Sequence, residues 1–239
     1  MKTFLVLLLA LLLAGCAAEE AVQTVQTAPT AGTVTEPSET AQSPVATEPE
    51  MPVAGVSLPE GCRQLLVVKA EGTEAAITLY ALEAGWQQVF SCRGFVGLGG
   101  VRSQKTEGDK ATPAGLYPIR EVFFQELRPQ SGLSSFGITD QTYWVDDPDS
   151  SYYNRRVEGK GDWASAEKMA DYAAYRYGFV VGYNEARVPG AGSAIFFHVG
   201  DGPTAGCIAA EEAAVLSCLS LLDRAAEPHI FITGQPVAD

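Results

Sequence analysis

The sequence predicts a mainly β domain with two helices, preceded by a long segment that cannot fold on its own. Three observations carry that prediction. From about residue 61 onward, short runs rich in β-branched and aromatic residues alternate with glycine-centred breaks. Only two stretches, 165–176 and 210–222, repeat apolar residues at helical spacing. Residues 17–60 consist largely of Ala, Thr, Glu, Pro, Val and Ser, with no aromatic residue.

The N-terminus comes first. Lys2 precedes an apolar run over 4–14, which ends in Leu13-Ala14-Gly15-Cys16. The run is shorter than the ~20 residues of a membrane-spanning helix and suits a cleaved signal peptide. Small and apolar residues directly before a cysteine resemble a bacterial lipobox. Residues 1–15 are therefore expected to be removed, and Cys16 to carry lipid that holds the protein at the membrane in an extracytoplasmic location. Residues 16–60 contain seven acidic residues and no Lys or Arg. Such a segment buries too little apolar surface to offset its ordering entropy and reads as a tether. A flexible chain of this length reaches roughly 40 Å.

Residues 61–239 are long enough for one domain with its own core. Of the formal charge of −13, this part carries 15 basic against 22 acidic residues. An acidic domain excludes nucleic acid as its main partner. No cofactor is called for, and a monomer is expected. Strands are predicted over 64–69, 76–82 and 87–93, broken at Glu71-Gly72 and Glu83-Ala84-Gly85 as in a meander. A glycine-rich link leads to a loop and strand over 107–119. Residues 125–162 read as irregular. A helix is predicted over 165–176, with Met169, Tyr172 and Ala173 on one face. Strands follow over 179–183 and 194–199, a second helix over 210–222, and a closing strand over 229–233.

Four cysteines fall in the domain. With no CxxC and only two histidines, a zinc site has little to build on, and no metal is expected. Cys62 and Cys92 sit at the edges of strand-like segments, so a bridge between them and two free thiols both fit. Cys218 shares a helical stripe with Val215, Leu219 and Leu222 and reads as a buried thiol. Cys207 is different. It follows Gly206 in a tight loop, ahead of the second predicted helix, and His198 ends the strand before that loop. By strand alternation Ile195, Phe197 and Val199 share one face, and Ala194, Phe196 and His198 the other. A thiol near a helix N-terminus or a histidine cation is activated as a nucleophile. Backbone N–H groups at Gly206 and Cys207 could hold an oxyanion. From the residues alone, a catalytic pair and a buried histidine with a Cys207–Cys218 bridge both remain open.

Three pieces of sequence carry a family resemblance. Gly108-Asp109-Lys110-Ala111-Thr112-Pro113-Ala114-Gly115-Leu116-Tyr117, the strand ending at His198, and Thr204-Ala205-Gly206-Cys207-Ile208 occur in order. Together they resemble the motifs of the L,D-transpeptidase (YkuD-like) catalytic domain over roughly 64–234. The resemblance implies a β-sandwich domain of an exported lipoprotein acting on peptidoglycan stem peptides. It implies that Cys207 attacks the carbonyl of the third stem residue and expels D-alanine, with His198 as base and acid. A side-chain amine of a second stem would then resolve the acyl-enzyme into a 3→3 cross-link, and carbapenems would acylate the same cysteine. The pattern departs at Ala205, where many members have histidine, and at Ala209, where many have Arg or Asn. The loop from His198 to Cys207 is also shorter than in better-known members. Alternatives are an L,D-carboxypeptidase, in which water resolves the acyl-enzyme, and a wall-binding lipoprotein without turnover. Tyr183, Asp147 and Thr204 are expected to line the substrate cleft. Asp146 and Asp147 fit either binding of the acceptor amine or a solvated turn, Asn184 ends the same strand as Tyr183, Lys110 and Thr112 fit either the cleft or a turn around Pro113, and His229 reads as structural.

Overall fold

The computed structural model describes residues 51–235. The expected signal peptide (1–15), the lipid site Cys16 and most of the tether (16–60) lie outside them. In chain order the strands are β1 Gln64–Glu71, β2 Glu74–Leu82, β3 Trp86–Phe95, β4 Val101–Arg102, β5 Thr112–Pro113, β6 Gly115–Phe124 and β7 Ser135–Gly137. They continue with β8 Thr142–Val145, β9 Arg155–Glu158, β10 Ala166–Lys168, β11 Tyr177–Val181, β12 Phe196–Val199, β13 Ile208–Ala210 and β14 His229–Gln235. One α-helix is present among the described residues, α1 at Glu212–Leu221.

The expected meander of β1, β2 and β3 forms, and β2 alternates cleanly. In β2, Ala75, Ile77 and Leu79 are buried, while Glu74 and Ala76 face solvent. The larger sheet runs β11-β12-β13-β3-β2-β1-β14-β6-β7. Strand β11 pairs with β12 on one side and with β6 on the other, so eight strands close on themselves. The expected sandwich is therefore a barrel-like sheet. Closure satisfies the backbone groups that two stacked sheets would leave open at their edges. A smaller antiparallel sheet, β10-β8-β9, forms within and beside the stretch expected to be irregular.

The helix expected over 165–176 is absent. Residues 166–168 pair with β8 instead, and two 3-10 turns follow at Met169–Asp171 and Ala173–Arg176. Strand pairing and the burial of Met169 and Tyr175 override a weak local helical preference.

Two cores result. The first lies inside the closed sheet and takes Leu66, Ile77, Val122, Phe179, Phe197 and the buried stripe of α1. The second lies outside it, between Phe123, Val180 and Phe196 of the barrel strands and Trp144 of the small sheet. Strand β12 serves both: Ile195, Phe197 and Val199 go to the first, and Ala194 and Phe196 to the second. Phe196 is fully buried, with Phe123, Trp144 and Tyr175 edge-on to it at 5.4, 4.9 and 5.3 Å. Each such aromatic pair adds ~0.5–1.5 kcal/mol beyond area burial, which fixes the face that also bears His198.

Cys62 and Cys92 are free thiols rather than a disulfide. Cys92 stands level with Ile77, and Ile77 with Val68, six residues along from Cys62. At ~3.3 Å per residue that offset is roughly 20 Å, far beyond the reach of a disulfide. Cys218 is buried in the first core, against which Cys92 packs, whereas Cys207 belongs to the second. A Cys207–Cys218 bridge does not form.

Candidate active site

Strand β12 pairs in parallel with β13, placing Phe197 beside Ile208 and His198 beside Ala209. Cys207 immediately precedes β13, so its side chain falls on the face that carries Phe196 and His198. Both Cys207 and His198 line one cleft of about 540 Å³. The turn before the cysteine is held from two sides. Thr204 Oγ1 accepts from Gly206 N–H (3.1 Å) and donates to Cys207 O (2.7 Å). Thr112 Oγ1 accepts from Gly97 N–H (2.8 Å) and donates to Gly206 O (2.8 Å), tying the Thr-Pro motif to the turn before Cys207. Gly206 has φ +144°, and a Cβ there would stand 3.0 Å from Ala111 O. Glycine is required on both counts.

The cysteine is not at a helix start, as the sequence reading had it. Three apolar residues, Ile208–Ala210, form β13 first, and α1 begins only at Glu212. The helix dipole therefore does not act on the thiol. Burial pushes the Cys207 thiol up to about 12, and the nearby Glu167 carboxylate adds to this, against smaller opposite effects of the Phe196 N–H and Lys105. The thiol donates to Ala194 O (3.2 Å) and accepts from Phe196 N–H (3.3 Å). His198 Nδ1 lies 2.8 Å from Val199 O. A carbonyl only accepts, so Nδ1 carries the hydrogen and Nε2 is left as the basic atom. Burial holds the imidazole below its ordinary value, with the Val199 bond opposing in part. The resting pair is a neutral thiol and a neutral imidazole.

Among the other expected residues, Thr204 lines the cleft, as do Asp146 and Lys110. Asp147 and Tyr183 lie away from it. The Asp147 carboxylate is occupied by the Asp149 and Ala164 N–H groups, so it shapes the loop after β8. Tyr183 packs edge-on to Tyr117, and its hydroxyl donates to Ala191 O. Asn184 likewise binds the backbone of its own loop at Val188 and Gly192. His229 opens β14 with Nδ1 on Glu227 O.

The sequence reading missed three residues that the fold brings to the cleft: Lys105, Glu167 and Tyr175. Lys105 is buried and paired with Asp109 at 2.7 Å; the i,i+4 spacing of opposite charges next to the Thr-Pro motif was the available signal. Glu167 and Tyr175 come from the stretch read as a helix and left no such signal. Tyr175 O–H donates to Glu167 Oε2 (2.6 Å), and its ring stands edge-on to His198 at 5.5 Å. Burial pushes Glu167 up to about 7, opposed by the Tyr175 bond and reinforced by Asp146 and Glu107. A carboxyl raised in the fold contributes stability that is present below its ordinary value near 4.5 and is lost as pH rises through about 7. Glu167→Gln is therefore expected to melt above the parent at pH 8.5 and together with it at pH 4. Equal differences at the two pH values in a thermal melt would refute this reading of the carboxyl.

The L,D-transpeptidase catalytic domain (YkuD) matches the chain over residues 65–230. No curated protein matches it. Among solved structures, it is similar to the helical cell shape determining protein Pgp2 of Campylobacter jejuni, with 14% identity and a TM-score of 0.42, covering 74% of this chain and 50% of that one. A lysine-to-alanine variant of Pgp2 matches at 14% identity and a TM-score of 0.40, covering 74% and 49%. The chain thus spans about half the length of these structures.

Proposed function

The chain belongs to the L,D-transpeptidase catalytic-domain family, and on that premise we propose that it cross-links peptidoglycan stem peptides through an acyl-enzyme on Cys207. The observation that carries the proposal is the placement of Cys207 and His198 on one face of two paired strands, lining one cleft, with the imidazole fixed by Val199 O. Nε2 of His198 takes the thiol proton as sulfur attacks the carbonyl of the third stem residue. The proton then passes to the departing D-alanine amine. The Gly206 N–H is committed to Thr204, which makes the Cys207 N–H the donor for the developing oxyanion. A side-chain amine of a second stem resolves the thioester into a 3→3 link. Cys16 carries the lipid anchor, and residues 16–60 carry the domain from the membrane toward the wall.

The test is intact mass spectrometry of the full-length protein after exposure to a carbapenem, beside Cys207→Ala. One adduct on the parent and none on the variant is the expected result. Failure of the parent to form an adduct, together with no labelling of Cys207 by a small alkylating agent under forcing conditions, would remove the acyl-enzyme reading.

A further inference from the structure

Glu167 poses a problem for the first half of the reaction. Its charge opposes formation of the Cys207 thiolate, yet the fold places it, half-buried, in the same cleft. Strand β10 holds the backbone of Glu167 against Trp144 of β8. Tyr175 donates its hydroxyl to Oε2, and the tyrosine ring is packed against both His198 and Phe196. Carboxyl, phenol ring and imidazole are thus consecutive contacts in one rigid set. A group that hinders the nucleophile and is still held this firmly is expected to serve another step.

The groups around Glu167 indicate which step. From β10 it shares its surroundings with Asp146 after β8 and with Glu107 before β5. Tyr172 and Tyr175 face it from the 3-10 turns, and Cys207 from the turn before β13. The imidazole of His198 is neutral. The nearest buried cation, Lys105, is engaged by Asp109 at 2.7 Å. Among the described residues no Lys, Arg or His forms an ion pair with Glu167. The charged residues lining the cleft are Glu107, Asp146, Glu167 and Asp201 against Lys105 and Lys110, so its balance is acidic, and the acyl acceptor in such a transfer is a primary ammonium.

We propose that Glu167, held by Tyr175 beside the nucleophile, is the catalytic residue that receives the primary amine resolving the acyl-enzyme. This rests on the acyl-enzyme reading above. The Glu167 carboxylate binds the incoming ammonium and takes one proton from it. The freed lone pair attacks the thioester carbonyl carbon, forming the C–N bond. His198 Nε2 takes a second proton from the nitrogen. The C–S bond breaks, its electron pair leaves on sulfur, and the His198 proton restores the Cys207 thiol. The proton on Glu167 passes to solvent. Its pKa of about 7 suits a base that must be ionised before each transfer and release its proton afterwards.

The experiment uses the full-length protein and a tetrapeptide stem with one side-chain primary amine, which serves as both donor and acceptor. Cross-linked dimer and hydrolysed tripeptide are counted by liquid chromatography and mass spectrometry from pH 5.5 to 8.5. Their ratio does not depend on how fast the acyl-enzyme forms. In the parent, the ratio should rise to about pH 7 and then level, because ionised Glu167 meets an ammonium that is still protonated. In Glu167→Gln it should fall at least tenfold at pH 7 and climb without levelling, following the free-amine fraction. Glu167→Asp should keep the plateau at a lower ratio. An unchanged ratio and plateau in Glu167→Gln would overturn the proposal. So would a Glu167→Gln protein that forms no acyl-enzyme while Glu167→Asp does, which would assign the carboxyl to the first half-reaction. No acyl-enzyme in the parent would instead bring down the functional reading beneath it.

Discussion

Replacing His198 with alanine is expected to lower acyl-enzyme formation by about three orders of magnitude, within the range of general acid–base catalysis, while the fold survives. The size follows from the resting state of the pair. The Cys207 thiol is pushed up to about 12 and His198 is held below 6.5, both by burial. Both shifts run against a resting thiolate–imidazolium pair, because burial disfavours each charged form. The thiol therefore cannot wait as an anion. It has to lose its proton during attack, and Nε2 of His198 is the basic atom on its face of the sheet. The pH dependence carries the same signature. The active form is neutral imidazole, and its lowered value keeps it neutral to below pH 6.5. Acylation should fall only as pH drops through that lower value and should be flat across neutrality, with no rise near pH 8–9 from an ordinary thiol. Stopped-flow acylation by a carbapenem measures both. A His198→Ala protein within threefold of the parent, or a parent profile climbing through pH 8–9, would exclude the neutral-pair mechanism.

Part of the cleft's geometry is legible in the sequence, because it is set locally. The alternation in 194–199 put Phe196 and His198 on one face, and the glycine before Cys207 marked a turn that tolerates no side chain. The meander of β1 to β3 was readable for the same reason: each strand is a short apolar and β-branched run between local breaks. What failed depended on partners distant in sequence. Residues 165–176 carry helical spacing, but β8 claims 166–168, and only that pairing brings Glu167 and Tyr175 to the cleft. Sheet closure hangs on β11 using both of its edges, which no pattern within 177–181 expresses. The helix start was misplaced by two residues although Glu211-Glu212 offered the acidic signal of a first turn. Those two residues let Ile208–Ala210 pair as β13 and set the helix start further from Cys207.

The second large effect is expected at Asp109, where alanine should cost about 3–5 kcal/mol of stability, the range for leaving one charge of a buried pair without its partner. Lys105 and Asp109 side chains are only 3% and 11% exposed and meet at 2.7 Å. The same carboxylate accepts from the Thr106 and Ala111 N–H groups, so its loss orphans two backbone donors as well. Burial alone would push the Asp109 carboxyl up, but these bonds and Lys105 outweigh it and hold it below the usual range. The sign of the pH effect follows. A lowered carboxyl contributes stability that is present above its ordinary value near 3.8 and is lost as pH falls through its folded value. The parent should lose this contribution only below about pH 4, and Asp109→Ala should show no such loss. Urea unfolding at pH 7 and pH 3 measures it. A double variant, Lys105→Met with Asp109→Leu, removes both charges and should recover much of the stability. It should not recover acylation to the same degree. Ala111 O packs directly against Gly206, and Thr112 holds the Gly206 carbonyl; the loop that Asp109 organises is therefore the floor on which Cys207 stands. Asp109→Ala unfolding within 1 kcal/mol of the parent would show that the pair is solvated and that the floor is held by Thr112 alone.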